Sequence, residues 1–286
     1  MIDGKKVGLF LPTLNAGENF KETLLRIDNN KSIVDRLLII DSGSNDNTVN
    51  LAQEHGFDVE TIDKSVFTHG LVRKKASHRL NDCDFIVYMT QDALLQQDAL
   101  NHLLSFIEPH DDMLVAYGKQ EVQMDKSNIF EYEARQFNYP EHSRIKSMAD
   151  KDTLGIKTVF SSDAFAVYNR HLLESIGNFP EEVNFEEDMY MAARGIMSGL
   201  TVGYCAEAKI YHSHHYTLAQ EYKRYRSIGN FHKTYPWIQN KFGSNEHEGF
   251  KSVITEWKFL VKHGRPQLIF YSGLRVIAKY VGYKLG

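Results

Sequence analysis

The sequence predicts an α/β fold, with a mostly parallel central sheet flanked by helices and a helical extension at the C-terminal end. Three observations carry this expectation. Val7–Leu11, Val34–Ile40 and Phe85–Met89 are apolar runs of strand length, as strands buried on both faces require. Helix-spaced stretches separate them. The 286 residues, 42% hydrophobic and 24% charged, suffice for a sizeable core without disulfides or a structural metal.

In chain order, the first strand ends at Pro12, and Phe20, Leu24, Leu25 and Ile27 follow at helical spacing. The second strand runs into Asp41 and is followed by helical stretches over 48–55 and 71–80. Further on, Met113–Gly118 and Asp163–Tyr168 read as strands, Phe130–His142 as a helix and then a loop, and 143–158 as a mobile loop. Phe185, Met189, Ala192, Ile196 and Leu200 share one face of a helix over 185–200. Val202–Cys205 and Ala208–Tyr211 read as two short strands. Past His215 the chain turns basic and tyrosine-rich. The expected division is an α/β domain over 1–215 and a helical extension over 216–286.

The formal charge of −4 argues against general nucleic-acid binding. Cys83 and Cys205 lie in apolar surroundings and read as buried, reduced thiols. The N-terminal apolar run is too short for a secretory signal, and no stretch reaches the roughly 18 apolar residues of a spanning helix. These features point to a soluble, cytoplasmic protein.

Ligands of such sheets gather at the carboxyl ends of the strands. Asp41-Ser42-Gly43-Ser44-Asn45-Asp46 stands at one such end. It reads either as a turn with a helix cap from Ser44 or Asp46, or as a site where Asp41 accepts the imide N–H of a pyrimidine. His69 and Arg73, four apart at a helix start, suit a diphosphate, since arginine binds phosphate with a planar fork and helix N-termini attract anions. Lys74 and Lys75 read as a solvated face. Asp92 in Thr90-Gln91-Asp92-Ala93 is a lone carboxylate that needs further ligands to hold a cation. His212 and His214, two apart in a strand-like segment, point the same way, and either could join Asp92 on one cation. In Glu186-Glu187-Asp188, a helical wheel sets Asp188 at the edge of the apolar stripe, half-buried, where a base is tuned. Glu187 points away, to solvent or to a neighbouring group.

Taken in order, Leu11-Pro12-Thr13-Leu14-Asn15-Ala16-Gly17, the segment Ile40 to Thr48, Phe67-Thr68-His69-Gly70 with Arg73, Thr90-Gln91-Asp92-Ala93, Phe160-Ser161-Ser162-Asp163-Ala164, Glu187-Asp188 and His212-Ser213-His214 resemble the inverting family 2 glycosyltransferases of the GT-A fold. Within that family they are most similar to the rhamnosyltransferase branch of bacterial surface polysaccharide synthesis, O-antigen, capsule or cell wall. The resemblance spans about residues 5–235. One departure is that Thr90 replaces the first acid of the family's Asp-x-Asp, as that branch tolerates.

The resemblance implies transfer of a sugar, L-rhamnose from dTDP-L-rhamnose, to a hydroxyl of a lipid-linked glycan, by single displacement with inversion. It implies donor contacts from Pro12, Thr13, Asn15, Asp41, Ser42, His69, Arg73 and Gln91. It further implies Mg2+ or Mn2+ on Asp92 and a histidine, His212 or His214, and Asp188 as general base with Glu187 beside it. Three other readings stay open: a UDP-hexose donor, a metallohydrolase built on the histidines and Asp92, and an inactive nucleotide-binding protein.

From Lys251 to Gly286 there are seven basic residues and one acid, Glu256. Phe270, Leu274, Ile277 and Val281 share a helical face, with Arg275 and Lys279 opposite and Tyr271 and Tyr280 flanking. From its pattern alone such a helix suits the protein core or the anionic inner face of the plasma membrane about equally, and the charge concentration and the expected lipid-linked acceptor favour peripheral membrane contact.

Overall fold

The structure, a computed structural model, describes residues 4–123 and 128–286. Two compact units make up the chain. The first comprises Met1–Gln120, Glu141–Met148 and Val159–His212; the second comprises Glu121–Pro140, Ala149–Thr158 and Ser213–Gly286. The division is thus not sequential, because two inner segments belong with the C-terminal helices.

The first unit holds the sheet. Its strands are β1 (Val7–Thr13), β2 (Arg36–Asp41), β3 (Asp58–Thr61), β4 (Phe85–Met89), β5 (Leu94–Leu95), β6 (Met113–Glu121), β7 (Arg144–Lys146), β8 (Phe165–Asn169) and β9 (Thr201–Tyr211). Their order is β3-β2-β1-β4-β8-β6-β9-β5, with β7 also on β9. The α/β architecture stands, but the sheet is mixed rather than mostly parallel. Pairs β1–β2, β2–β3 and β1–β4 are parallel, whereas β4–β8, β6–β8, β5–β9 and β7–β9 are antiparallel. A fully buried strand is an apolar run whichever way it points, so periodicity carried no direction.

Strand direction places the site. Parallel register sets Thr13 beside Asp41 at the carboxyl ends of β1 and β2. Because β8 runs against β4, Phe165 pairs with Met89, and the residues before β8 arrive at the carboxyl end of β4. Thr90 N–H accordingly donates to the Ala164 carbonyl at 3.3 Å. β6 runs against β8, with Tyr117 opposite Ala166, so Gln120 reaches the same end.

Other elements depart from expectation. Val202–Cys205 and Ala208–Tyr211 are one strand, β9, since the intervening Ala206-Glu207 stays extended. The expected loop over 143–158 opens with β7 and continues as short helical turns from Met148 to Val159. The helix expected over 185–200 spans Glu187–Met197 and buries Met189, Ala192 and Ile196. Cys83 and Cys205 are both free and buried, and burial pushes both thiols up to about 11.

The second unit is helical: Ile129–Asn138, Leu218–Thr234, Pro236–Phe242, Asn245–Lys262 and Ile269–Leu285 are its longer helices. A reciprocal cap of Thr217 and Gln220 starts the Leu218–Thr234 helix. Gly229 and Gly282 let this helix meet Ile269–Leu285 closely. A Cβ on Gly229 would lie 2.2 Å from the Tyr283 carbonyl, and one on Gly282 2.4 Å from that of Tyr222.

The Ile269–Leu285 helix turns its charged side inward, opposite to a core helix. Arg275 pairs with Glu221 and with Glu256 (3.7 Å), and Lys279 with Glu221 (3.6 Å). Phe270, Leu274, Ile277, Val281 and Leu285 face outward, Phe270 with 78% and Ile277 with 60% exposure. Phe250, Ile254, Trp257 and Val261 form a second exposed stripe on the neighbouring helix, and Trp257 Nε1 donates to Ser272 at 2.9 Å. Among the described residues, no helix is long and apolar enough to cross a membrane.

Glu133 is buried in this unit, and neither of its carboxylate oxygens has a hydrogen-bond partner among the described residues. Burial, then the charge of Glu256, pushes it up to about 7, with Lys279 and Arg275 opposing. The folded state therefore holds a proton that the unfolded chain releases near pH 4.5, so stability falls as pH rises from there through 7. Glu133→Gln, neutral at every pH, should be more stable than the parent at pH 8 by about 1–3 kcal/mol and nearly equal at pH 5. Urea unfolding at the two pH values measures this, and equal differences at both would contradict it.

Candidate active site

The strand-end motifs build a frame before they build contacts. Asp41 is fully buried and accepts four hydrogen bonds, from Thr13 Oγ1 (2.7 Å), Gly43 N (3.0 Å), Ser44 N (2.7 Å) and Ser44 Oγ (2.6 Å). Both oxygens are thereby saturated, and no lone pair is left for a pyrimidine imide. This corrects the expected base contact: Asp41 ties the β2 loop to β1. Gln91 is likewise a strut, accepting from Leu14 N at 2.9 Å and donating to its carbonyl at 3.3 Å. Asn15 holds φ at +44° while its side chain accepts from Asn45 N at 2.9 Å. Pro12 is half-buried at the end of β1. Ser42 is buried, and its Oγ has no partner among the described residues.

His-Gly-x-x-Arg forms one side of an acid cluster. Thr68 caps the His69–Arg79 helix by accepting from Leu71 N. Gly70 lies against the loop preceding the acids: its N–H donates to Val183 O at 2.8 Å, and a Cβ would fall 1.9 Å from the Pro180 carbonyl. This contact allows only glycine. Arg73, 3% exposed, sends Nε to Asp163 and Nη1 to Glu187, both at 2.8 Å. Its Nη1 also meets His69 Nδ1 at 3.1 Å, and His69 Nδ1 lies 4.0 Å from Glu187. Burial alone would lower the Arg73 pKa, but Glu187, Asp163 and Asp188 together raise it. The expected diphosphate role of Arg73 is thereby corrected, because its charge is committed to two carboxylates inside the protein. Burial, then the Arg73 charge, outweighs Glu187 and lowers the pKa of His69.

Glu187 is buried in this pair, not solvent-facing; of the two expectations for it, partnership with a neighbour is the one realised. Asp163, in the Phe160-Ser161-Ser162-Asp163-Ala164 segment, carries no local signal of a role in the sequence. It is buried, accepts from Tyr168 Oη at 2.9 Å, and is pushed up to about 6 by burial against the opposing Arg73 charge. Asp188 is half-buried, as its wheel position predicts. One of its oxygens accepts from Met189 N (2.7 Å) and the other from Asp163 N (3.3 Å), which leaves each a lone pair. Burial, then Glu187, Asp163 and Glu186, raises its pKa well above the carboxylate range. An Asp with raised proton affinity and a lone pair left on each oxygen is suited to accept a proton.

Asp92 is exposed just beyond β4, and its Oδ1 lies 3.4 Å from His212 Nε2. That separation suits two ligands of one cation, the carboxylate favouring hard ions such as Mg2+ or Mn2+ and the imidazole favouring borderline ones. His214, two residues on, lies in the second unit; its N–H donates to Glu131 and its ring stacks on Tyr216 at 5.3 Å.

Arg73→Met would leave Asp163 and Glu187 facing each other without a cation. The expected cost is about 3–5 kcal/mol at pH 8. It should shrink at pH 5, because carboxylates that lose a cation bind protons more tightly and are neutralised as pH falls. Chemical denaturation at both pH values tests this, and a pH-independent cost would refute it.

The family model for Glycosyl transferase family 2 matches residues 9–177. The chain is 41% identical over 283 residues to the O-antigen chain rhamnosyltransferase RfbN of Salmonella typhimurium, a match covering 98% of this chain and 89% of that protein. It is also 41% identical, over 280 residues, to the O-antigen chain rhamnosyltransferase WbaN of Salmonella anatum, covering 97% and 88%. Among solved structures it is similar to the mannosyltransferase PcManGT from Pyrobaculum calidifontis, determined with GDP-Man and Mn2+, with a TM-score of 0.64, 14% identity, and 98% and 87% coverage. S. aureus TarS 1–349 gives a TM-score of 0.57 at 14% identity, with 98% and 90% coverage. At that identity the likeness is one of fold, and it is the GT-A fold. The chain belongs to glycosyltransferase family 2.

Proposed function

We propose that this protein is an inverting rhamnosyltransferase of O-antigen synthesis that moves L-rhamnose from dTDP-L-rhamnose to a hydroxyl of a lipid-linked glycan. The observation that carries it is Asp188, a half-buried carboxylate with a lone pair left on each oxygen, bonded to the Asp163 N–H next to Ser162, which Gln120 links to the His212 of the Asp92–His212 pair. The names of the 41%-identical relatives support the sugar and the polymer.

Asp188 takes the proton of the attacking acceptor hydroxyl, and Arg73, through Glu187 and Asp163, holds the acid cluster in place. One base serves a single displacement, so a second nucleophilic carboxylate is not required. Ser42 Oγ and the side-chain N–H groups of Asn15 retain capacity for the nucleoside. Asp92 and His212 would hold Mg2+ or Mn2+, whose charge would offset that of the departing diphosphate. His214 is a further candidate ligand.

Release of dTDP from dTDP-L-rhamnose should be measurable with Mg2+ or Mn2+ and lost in EDTA. Asp188→Asn should lower kcat by about 10²–10⁴ with donor binding little changed. Turnover near that of the parent would remove Asp188 as base, and release from UDP-hexoses alone would replace the donor.

The outward apolar stripes of the second unit support peripheral contact with an anionic membrane on the cytoplasmic side. Lys251, Lys258, Lys262, Arg265 and Lys284 are exposed on the same two helices and their connection, supplying charge complementary to anionic lipid. The full chain should co-sediment with vesicles containing anionic lipid at low salt and less with neutral ones. Phe270→Asp with Ile277→Asp should abolish binding without unfolding the protein, since both side chains are exposed. Failure of the parent chain to bind anionic vesicles would reject the contact.

A further inference from the structure

Behind His212 lies a buried polar relay. His212 and Gln120 are 9% and 4% exposed. Gln120 Oε1 lies 2.9 Å from His212 Nδ1, and Gln120 Nε2 donates to Ser162 Oγ at 2.7 Å. The opposite ring nitrogen, Nε2, is the one facing Asp92 at 3.4 Å. Strand direction brings these groups together, since Gln120 is the last but one residue of β6 and Ser162 precedes the antiparallel β8.

A neutral imidazole has one N–H and one lone pair. For Nε2 to ligate a cation beside Asp92, the proton must sit on Nδ1, where only an acceptor can meet it. The Gln120 amide presents an acceptor at one end, while its N–H end is occupied by Ser162. We propose that Gln120 is a positioning residue: with Ser162 it fixes the tautomer and ring plane of His212, so that Nε2 is aimed as a ligand at the cation position beside Asp92. This role rests on the cation site described under the proposed function. A hydrogen-bonded outer partner of this kind typically affects metal affinity about 10–100-fold.

Mn2+ uptake, read by electron paramagnetic resonance in the presence of dTDP and without acceptor, tests the role apart from turnover. Gln120→Leu should weaken Mn2+ binding about 10–100-fold. Gln120→Glu, which keeps an acceptor oxygen facing Nδ1, should bind nearly as the parent does. Melting temperatures in EDTA show which variants are folded. Equal Mn2+ affinity in a folded Gln120→Leu, or equal loss in both variants, overturns the role of Gln120 alone. No uptake by the parent chain overturns the cation site itself and this role with it. If Gln120→Leu does not fold, nitrogen-15 spectra of the parent's His212 with Mg2+ and dTDP decide: a proton on Nδ1 supports the role, and one on Nε2 overturns it.

Discussion

The active end of this protein depends on one buried cation. Arg73 is enclosed, and a guanidinium in such surroundings is tolerated only when its charge is compensated and its fork occupied. Asp163 and Glu187 compensate it as ion pairs at 2.8 Å, and they come from two separate segments, one just before β8 and one at a helix start. The arginine therefore fixes where two chain segments stand. Asp188, adjacent to Glu187 and bonded to the Asp163 N–H, is fixed as a consequence. Its raised proton affinity follows from the same arrangement: burial together with the neighbouring carboxylates Glu187, Asp163 and Glu186, which the hydrogen bond from Met189 N–H offsets only in part.

Around that pair, local geometry is explained by close approach. Gly70 permits the helix carrying Arg73 to touch the Pro180–Val183 loop, and that loop leads directly to Glu187 and Asp188. The motif His-Gly-x-x-Arg is thus a structural unit: a cap at Thr68, a contact that excludes Cβ, and a cation one helical turn later. The strand-end loops follow a similar logic. Asp41 and Gln91 spend their hydrogen bonds on Thr13, Ser44 and Leu14, which makes a rigid floor from residues that look like ligand contacts.

The second unit obeys a different constraint. Its C-terminal helix directs Arg275 and Lys279 to buried glutamates and leaves its apolar stripe outside. Exposed aliphatic and aromatic side chains in such numbers are unfavourable in water and find a use at an interface. The core alternative, equally compatible with the periodicity, would have required the same stripe to be covered.

The sequence by itself determined the strand–helix alternation, the carboxyl-end segments where chemistry gathers, and the half-buried position of Asp188. Each of these is written in local periodicity or in residues a few places apart. Recognition of ordered motifs extended this to the family and to the pairing of Asp92 with a histidine. Only the tertiary structure decided the direction of β8 and β6, because a buried apolar run looks the same both ways. That direction brought Asp163, Ser162 and Gln120 to the site from positions with no local signal. It also decided that Arg73 serves carboxylates instead of a diphosphate and that Glu187 is buried. The partners of a long charged side chain are set by what folds against it, and here they lie 90 and 114 residues further along the chain.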